Sequence, residues 1–392
     1  MDIAEYGRLV GTRVRDNLGV CRDTVDESAL VDAALEAFET LRKPFFSWQD
    51  ILAGIATKQG WPDQRDNLVP FGEPTFTLFE DPRFVVRVHV WSTSTTCIHN
   101  HPFFGAFQVL CGESIETRYV TEDTIVESGG LTLANLRQAS HTLHHSGTCN
   151  DIRCAPAGNG LLHSIIHLDY PMVTLVVKTR TLDPVLSRRF FFPGVSFASL
   201  DNPTSFLQMR ALKTAWLHDG LFAETLIESA LRAHNAGESV RMALTLFEEL
   251  GYPSRLQALL AKMHSERFPQ VSEGYWHMAY NHMRRSSVSL TRAWHAPRAQ
   301  RGVYAALLSL EASQVLRTMF GDASESSTTS LAEVLGSMQD GTEGNQAAAR
   351  PFARWLLSLD KPVRDLAYAP SEDAAAPSSI IFAPHMAMLK ST

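Results

Sequence analysis

The sequence has no apolar run long enough to cross a bilayer and no dense stripe of lysine and arginine. A membrane role is not expected, because a spanning helix needs about 20 consecutive apolar residues. A nucleic-acid partner is not expected either: affinity for a phosphate backbone depends on clustered cations, and the net charge here is -7. Cysteine is scarce. The five copies, Cys21, Cys97, Cys111, Cys149 and Cys154, form neither a CxxC pair nor an even framework. Thiols in a reducing compartment are therefore expected, with Cys149 and Cys154 as an alternative pair. The first thirty residues mix charges and lack an uninterrupted apolar core, so they do not read as a signal peptide and a cytoplasmic location is the expectation. The helical region after Arg180 lacks the catalytic signatures GxSxG and HExxH and the P-loop.

What is present is an ordinary globular composition, 45% hydrophobic and 20% charged, in 392 residues. That length exceeds a comfortable single core, which predicts two domains or one domain with a large appendage. Periodicity divides the chain further. Near the start, Leu30, Val31, Ala34, Leu35, Phe38 and Leu41 recur at helical spacing until Pro44, and a second helix is predicted after Ser47, which with Asp50 resembles an N-terminal cap. From about Phe71 the pattern alternates, most clearly in RFVVRVHVW at 83–91, with a turn at Glu80-Asp81-Pro82. Further strands are predicted at 105–110, 114–120, 131–136, 161–168 and 172–180, spaced as in an antiparallel sandwich or barrel. After Arg180 the pattern is helical again, with predicted helices at 204–217, 222–234, 238–250, 254–265, 273–284, 300–320 and 345–359, punctuated by Pro253, Pro269 and Gly321. Residues 321–345 and 368–379 are rich in small and polar types and are expected to be mobile connections. The predicted class is α+β: an N-terminal helical segment over 1–69, a β-barrel over 70–190 and a C-terminal helical domain over 191–392.

Histidine carries the chemistry. In Ile98-His99-Asn100-His101-Pro102 the two imidazoles stand on one strand face, since alternate side chains of a strand point the same way. The pair alone is weak evidence, because 15 histidines in 392 positions produce about 0.6 of an HxH by chance. Its context is more specific. An apolar strand ends at Trp91 before the pair, GAFQVLCGESIETRY supplies a strand, a turn at Gly112 and another strand after it, and a Pro/Gly turn at 156–160 then leads to His163.

This arrangement resembles the two-part motif of the cupin superfamily. The stretches from Trp91 to Gly112 and from His163 to Lys178 look most like the cysteine dioxygenase group of thiol dioxygenases, over about residues 70–180 only. The resemblance implies a cupin barrel with a mononuclear metal held by His99, His101 and His163. Cupins commonly place a glutamate four or five residues after the second histidine; Gly105 and Ala106 stand there, which implies a three-histidine set. Three neutral imidazoles leave a divalent charge uncompensated and coordination positions open, which suits Fe(II) with a thiolate or carboxylate substrate and dioxygen; Zn(II), Ni(II) and Mn(II) are the alternatives.

The sequence departs from that family in the pocket. The early strand that carries its substrate arginine matches EPTFTLFEDP at 73–82, which has none. Its Ser-His-Tyr relay aligns with Thr174, Val176 and Lys178, and its cross-linked cysteine with Gly105, so no cysteine-tyrosine cofactor is expected. Three residues are candidate substrate contacts: Arg87, His167 and Lys178. Alternation favours Phe84, Val86, Val88 and Val90 as the core face with Arg87 in solvent, whereas the opposite orientation lets Arg87 bind an anion. His167, four residues beyond His163, reads as a fourth ligand, a pocket donor or a structural histidine. His141, His144 and His145 read as a surface turn, and His277 and His282, five apart, do not share a helix face.

The expected function is a metal-dependent cupin enzyme, a non-haem Fe(II) dioxygenase or oxidase acting on a small polar metabolite such as a thiol. The alternatives are a non-redox isomerase or hydrolase that uses the metal as a Lewis acid, and a ligand-binding scaffold. The expected partners are a small-molecule substrate and a protein or second copy of the chain on the C-terminal helices. The catalytic residues are left open.

Overall fold

The computed structural model describes residues 1–19, 26–41, 45–64, 74–92, 96–101, 103–128, 130–153, 161–180, 188–198, 203–295, 298–308, 312–320 and 325–337. Pro44, Cys21, Cys154, the turn at 156–160, the helix predicted at 345–359 and the connection at 368–379 lie outside them. Three helices come first: α1 (Ile3–Leu18), α2 (Glu27–Thr40) and α3 (Trp48–Thr57). Each starts at a side-chain cap that accepts a hydrogen bond from an otherwise orphaned backbone N–H: Asp2 from Glu5, Asp26 from Ala29, and Ser47 from Asp50.

Eleven strands follow among the described residues: β1 (Thr75–Glu80), β2 (Phe84–Trp91), β3 (Thr96–Asn100), β4 (Gly105–Cys111), β5 (Ser114–Ser128), β6 (Leu131–His144), β7 (Cys149–Ile152), β8 (Leu162–His167), β9 (Met172–Thr179), β10 (Arg188–Phe191) and β11 (Val195–Ala198). One sheet has five strands in the order β1-β2-β9-β4-β7, and the other, β10-β11-β6-β5-β8-β3, closes into a barrel. The helices after the strands are α4 (Pro203–His218), α5 (Gly220–Ala233), α6 (Ala236–Glu249), α7 (Ser254–Arg267), α8 (Glu273–His295), α9 (Arg298–Leu308), α10 (Ala312–Phe320) and α11 (Glu325–Ser337). The α+β class, an antiparallel barrel with helices before and after it in sequence, is the one the sequence predicts. Several segments depart from expectation, among them β10 and β11, which are barrel strands in the region after Arg180 where helices are expected, β11 within the stretch 191–392 assigned to the helical domain. Part of the supposed mobile stretch 321–345 is the helix α11, because Leu331, Ala332 and Leu335 recur at helical spacing and are buried.

The chain divides into two compact units. The first comprises Met1–Val120, Thr142–Phe190 and Ala198–Leu200. Its five-stranded sheet buries one face, Phe84, Val86, Val88 and Val90 of β2 with Ala106, Leu110, Val173, Leu175 and Val177, in one cluster with Tyr6, Val10, Leu30, Ala34 and Phe38 of α1 and α2. The other face carries Trp91, Phe107, Met172 and Val176 in a second cluster. In the second unit, Leu131, Leu133, Val195 and Phe197 join Met209, Ile227, Leu244, Leu260 and Trp276 of α4–α8 in one core. There the Tyr275 hydroxyl accepts from Ala134 N at 3.2 Å and donates to Ala134 O at 2.8 Å.

Gly105, the position matched to the family's cross-linked cysteine, has a local reason to lack a side chain: a Cβ there would collide with the backbone carbonyl of Val177 on the adjacent strand β9. Gly105→Ala must push β4 off β9 and is expected to cost about 1–3 kcal/mol, read as a lowered denaturant midpoint at unchanged slope.

Candidate metal centre

His99 lies in β3, His101 just beyond its end, and His163 in β8. The antiparallel register of β3 and β8 sets His99 directly opposite His163, and the two-residue spacing puts His101 on the same face as His99. The three rings form a nearly equilateral triangle, with centroids 4.8 Å apart for His99–His101 and His99–His163 and 4.9 Å for His101–His163. All three are buried, and one ring nitrogen of each lies within 4.8 Å of the others, so the group can hold a metal ion. It is the only such cluster of histidine, cysteine and carboxylate side chains among the described residues.

Behind His163 stands a residue that sequence reasoning did not single out. Glu116, on β5, is fully buried, and its Oε1 lies 2.5 Å from His163 Nδ1. Its Oε2 accepts from Arg118 Nε at 2.9 Å and from His144 Nε2 at 3.1 Å. The Asn150 amide, 3.1 Å from His144 Nδ1, donates to that nitrogen and leaves the His144 proton on Nε2. Burial raises the Glu116 carboxyl, but the hydrogen bonds of His144 and His163, then electrostatic attraction to His163 and Arg118, outweigh it and hold the group well below the usual carboxylate range.

Glu116 decides the tautomer of His163. A carboxylate on Nδ1 keeps the proton there and leaves the Nε2 lone pair facing the triad. His101 Nε2 is 2.8 Å from that nitrogen. His101 is itself held well below the ordinary imidazole range, by burial first and then by His99, His163 and the Lys178 charge. Imidazoles converging on one point, one of them oriented by a buried carboxylate, suit a divalent metal that takes nitrogen ligands, so these residues fit such an ion.

No protein-family model matches the chain, and no curated protein does. Among the solved structures with partial likeness are CapF and oxalate oxidase. A crystal structure of CapF with the inhibitor 3-isopropenyl-tropolone shares 16% identity at a TM-score of 0.21, covering 50% of this chain and 45% of that one, so the chain spans less than half of CapF. A structure of oxalate oxidase shares 16% identity at a TM-score of 0.22, covering 48% of this chain and 82% of that one.

The triad opens on a cavity with about 60 Å³ of room for water centres, space for about four to six waters. Its wall is mostly apolar, including Trp91, Phe103, Phe107, Ile165, Met172 and Val176, and no acidic side chain, lysine or arginine lines it among the described residues. The three candidate substrate contacts are placed differently. His167 lines the cavity, outside the triad, with its ring 4.9 Å from Trp91 and Nδ1 2.8 Å from Met172 Sδ. Burial pushes its pKa down to about 3, so it is neutral at physiological pH. Lys178 places its ammonium 4.6 Å over the Phe103 ring rather than in the lining. Arg87 is half-buried beside His89 in β2 and is also outside the lining, while His89 and Trp91, two and four residues on, are in it.

The turn expected at 141–145 is not what forms. β6 continues to His144, which is fully buried on Glu116; of the three histidines, His141 is half-buried and His145 exposed. The reason is the Glu116 carboxylate, which supplies a charged partner and makes an interior position favourable for an otherwise polar ring. His277 and His282 do lie apart: His277 Nε2 reaches Glu273 at 3.3 Å, and His282 Nδ1 accepts from Phe192 N at 3.4 Å.

Replacing Glu116 by Gln keeps an oxygen for His163 but removes the charge that fixes its tautomer. Glu116→Gln should lower metal affinity by about 10–100-fold, measured by competition against a chromogenic chelator.

Proposed function

We propose that this protein is a mononuclear metal-dependent enzyme of the cupin type, a non-haem Fe(II) dioxygenase or oxidase acting on a small polar metabolite such as a thiol. The observation that carries this reading is the buried convergence of His99, His101 and His163 with Glu116 on the outer nitrogen of His163. His99, His101 and His163 would hold the ion, which supplies redox chemistry with dioxygen and open positions for a small anionic ligand.

The other residues orient and enclose. Glu116 holds His163 in one tautomer, and Asn150 does the same for His144. The Trp91 indole donates to Thr174 Oγ1 at 3.0 Å, which fixes an aromatic wall of the cavity. The mostly apolar wall favours the carbon skeleton of a small ligand beside the triad. Proton movers are few. Besides the triad, the titratable side chains in the described lining are His89 and His167, and His167 does not take up a proton near neutrality. That scarcity supports redox chemistry over an isomerase or hydrolase, which would need a positioned acid or base.

His101→Ala should abolish both bound metal and oxygen uptake in protein purified without an affinity tag. Iron retained at one equivalent in that variant would sink the assignment, and equal turnover with and without air would move it to a non-redox metal enzyme.

A further inference from the structure

Two polar side chains of the cavity have no role in holding the triad. Ser114 on β5 and His167 on β8 are direct cross-strand partners. Both line the cavity, and each is 1% exposed. Ser114 Oγ and His167 Nε2 are buried and have no hydrogen-bond partner among the described residues. Buried polar groups without a partner are uncommon in natural interiors, and a pair of them facing one cavity suits a molecule, water or ligand, that completes both.

The proton inventory says what that ligand offers. The other nitrogen of His167 contacts Met172 Sδ, which has no proton to give, so Nδ1 carries the hydrogen and Nε2 is an acceptor. The serine hydroxyl both donates and accepts. A carboxylate has no hydrogen for Nε2 and would be buried with no arginine or lysine in the described lining. An ammonium would be buried with no acidic side chain in that lining, and Glu116 is already committed to His163, Arg118 and His144. A hydroxyl satisfies both groups at once, donating to His167 Nε2 and accepting from Ser114 Oγ.

We propose that Ser114 and His167 form a subsite for the uncharged hydroxyl end of the substrate, so that this enzyme takes small neutral alcohols or hydroxythiols rather than amino acids or other carboxylates. The proposal rests on the metal-enzyme reading only for the word substrate; the subsite binds its ligand whether or not an ion is present.

The test is a ligand-observed NMR titration of the full-length protein after chelator treatment, which removes any ion that would itself draw an anion, with 1-propanol, propionate and propylammonium, which share one chain and differ in the head group, and with metal content measured before treatment. 1-Propanol is expected to bind most tightly. Ser114→Ala and His167→Gln should each change its affinity differently: loss of the serine hydroxyl weakens it roughly three- to tenfold, whereas glutamine retains an acceptor and weakens it less than His167→Phe does. Ser114→Ala should also melt at the same or a higher temperature, since it deletes a buried hydroxyl without a partner. The proposal is overturned if propionate or propylammonium binds more tightly than 1-propanol, if no alcohol binds at 100 mM, if Ser114→Ala leaves the affinity unchanged or lowers the melting temperature, or if His167→Gln loses metal. Protein that holds no metal before treatment yet binds 1-propanol would end the metal reading and leave the subsite standing.

Discussion

A single buried negative charge organises the site. Glu116 is fully shielded from solvent, and a carboxylate in that position is tolerated only when its oxygens are met by donors. Three side chains meet it, from three places in the first unit: His163 on β8, His144 at the end of β6, and Arg118 two residues further along β5. The arrangement depends on register. With Arg118 opposite His163 and Ile165 opposite Glu116, the carboxylate reaches the histidine diagonally across the pair; a slip of one residue would turn Glu116 to the other face of the strand and leave both His144 and His163 without it. The orientation of the His163 ring is therefore a consequence of strand pairing as much as of the histidine itself.

The five-stranded sheet explains why alternation in β2 is hard to interpret. An amphipathic strand normally has one core face and one solvent face, which is why the valine face reads as core and Arg87 as solvated. The valine face is indeed packed, against α1 and α2. The opposite face is not simply solvent: His89 and Trp91 line the cavity, and Arg87 is half-buried on the same strand. Two buried faces, one against helices and one around a cavity, produce the same sequence pattern as one buried face when the cavity face carries polar rings. Alternation reports which residues share a face, and it is silent on what covers that face.

The same physics sets how far the site is legible. His99, His101 and His163 stand out because strand spacing and a flanking turn bring unusual residue types to one point. Glu116 does not stand out, since Ser114, Glu116 and Arg118 alternate with Ile115, Thr117 and Tyr119 just as an outward polar face would. Only the partner strand, supplied by residues almost fifty positions away, converts that face into an interior. His144 is hidden for a related reason: Arg137, Gln138, Ser140, His141 and Thr142 end the alternation early, although the strand runs on to His144. α11 is the helical counterpart, where serine and threonine suggest a loop but the spacing of Leu331, Ala332 and Leu335 decides the fold. Long elements with a strong period were legible; residues whose environment is made by a distant strand were not.

Charge accounting links the ligand set to the pocket. The three imidazoles contribute no charge, and Glu116, one shell out, is already offset by Arg118 at 2.9 Å. A divalent ion among His99, His101 and His163 would thus keep most of its charge in a poorly solvated place, where an anionic ligand is strongly favoured over a neutral one. The rest of the described lining offers neither a cation for a second anionic group nor a carboxylate for a cationic one. Lys178 bears on this balance from outside the lining, since its charge helps keep His101 neutral while its ammonium rests over Phe103. A substrate suited to both regions has one group that ionises at the triad and a remainder that stays neutral, held by hydrogen bonds and apolar contact. Such a molecule needs no arginine clamp, which agrees with a described lining that holds no arginine.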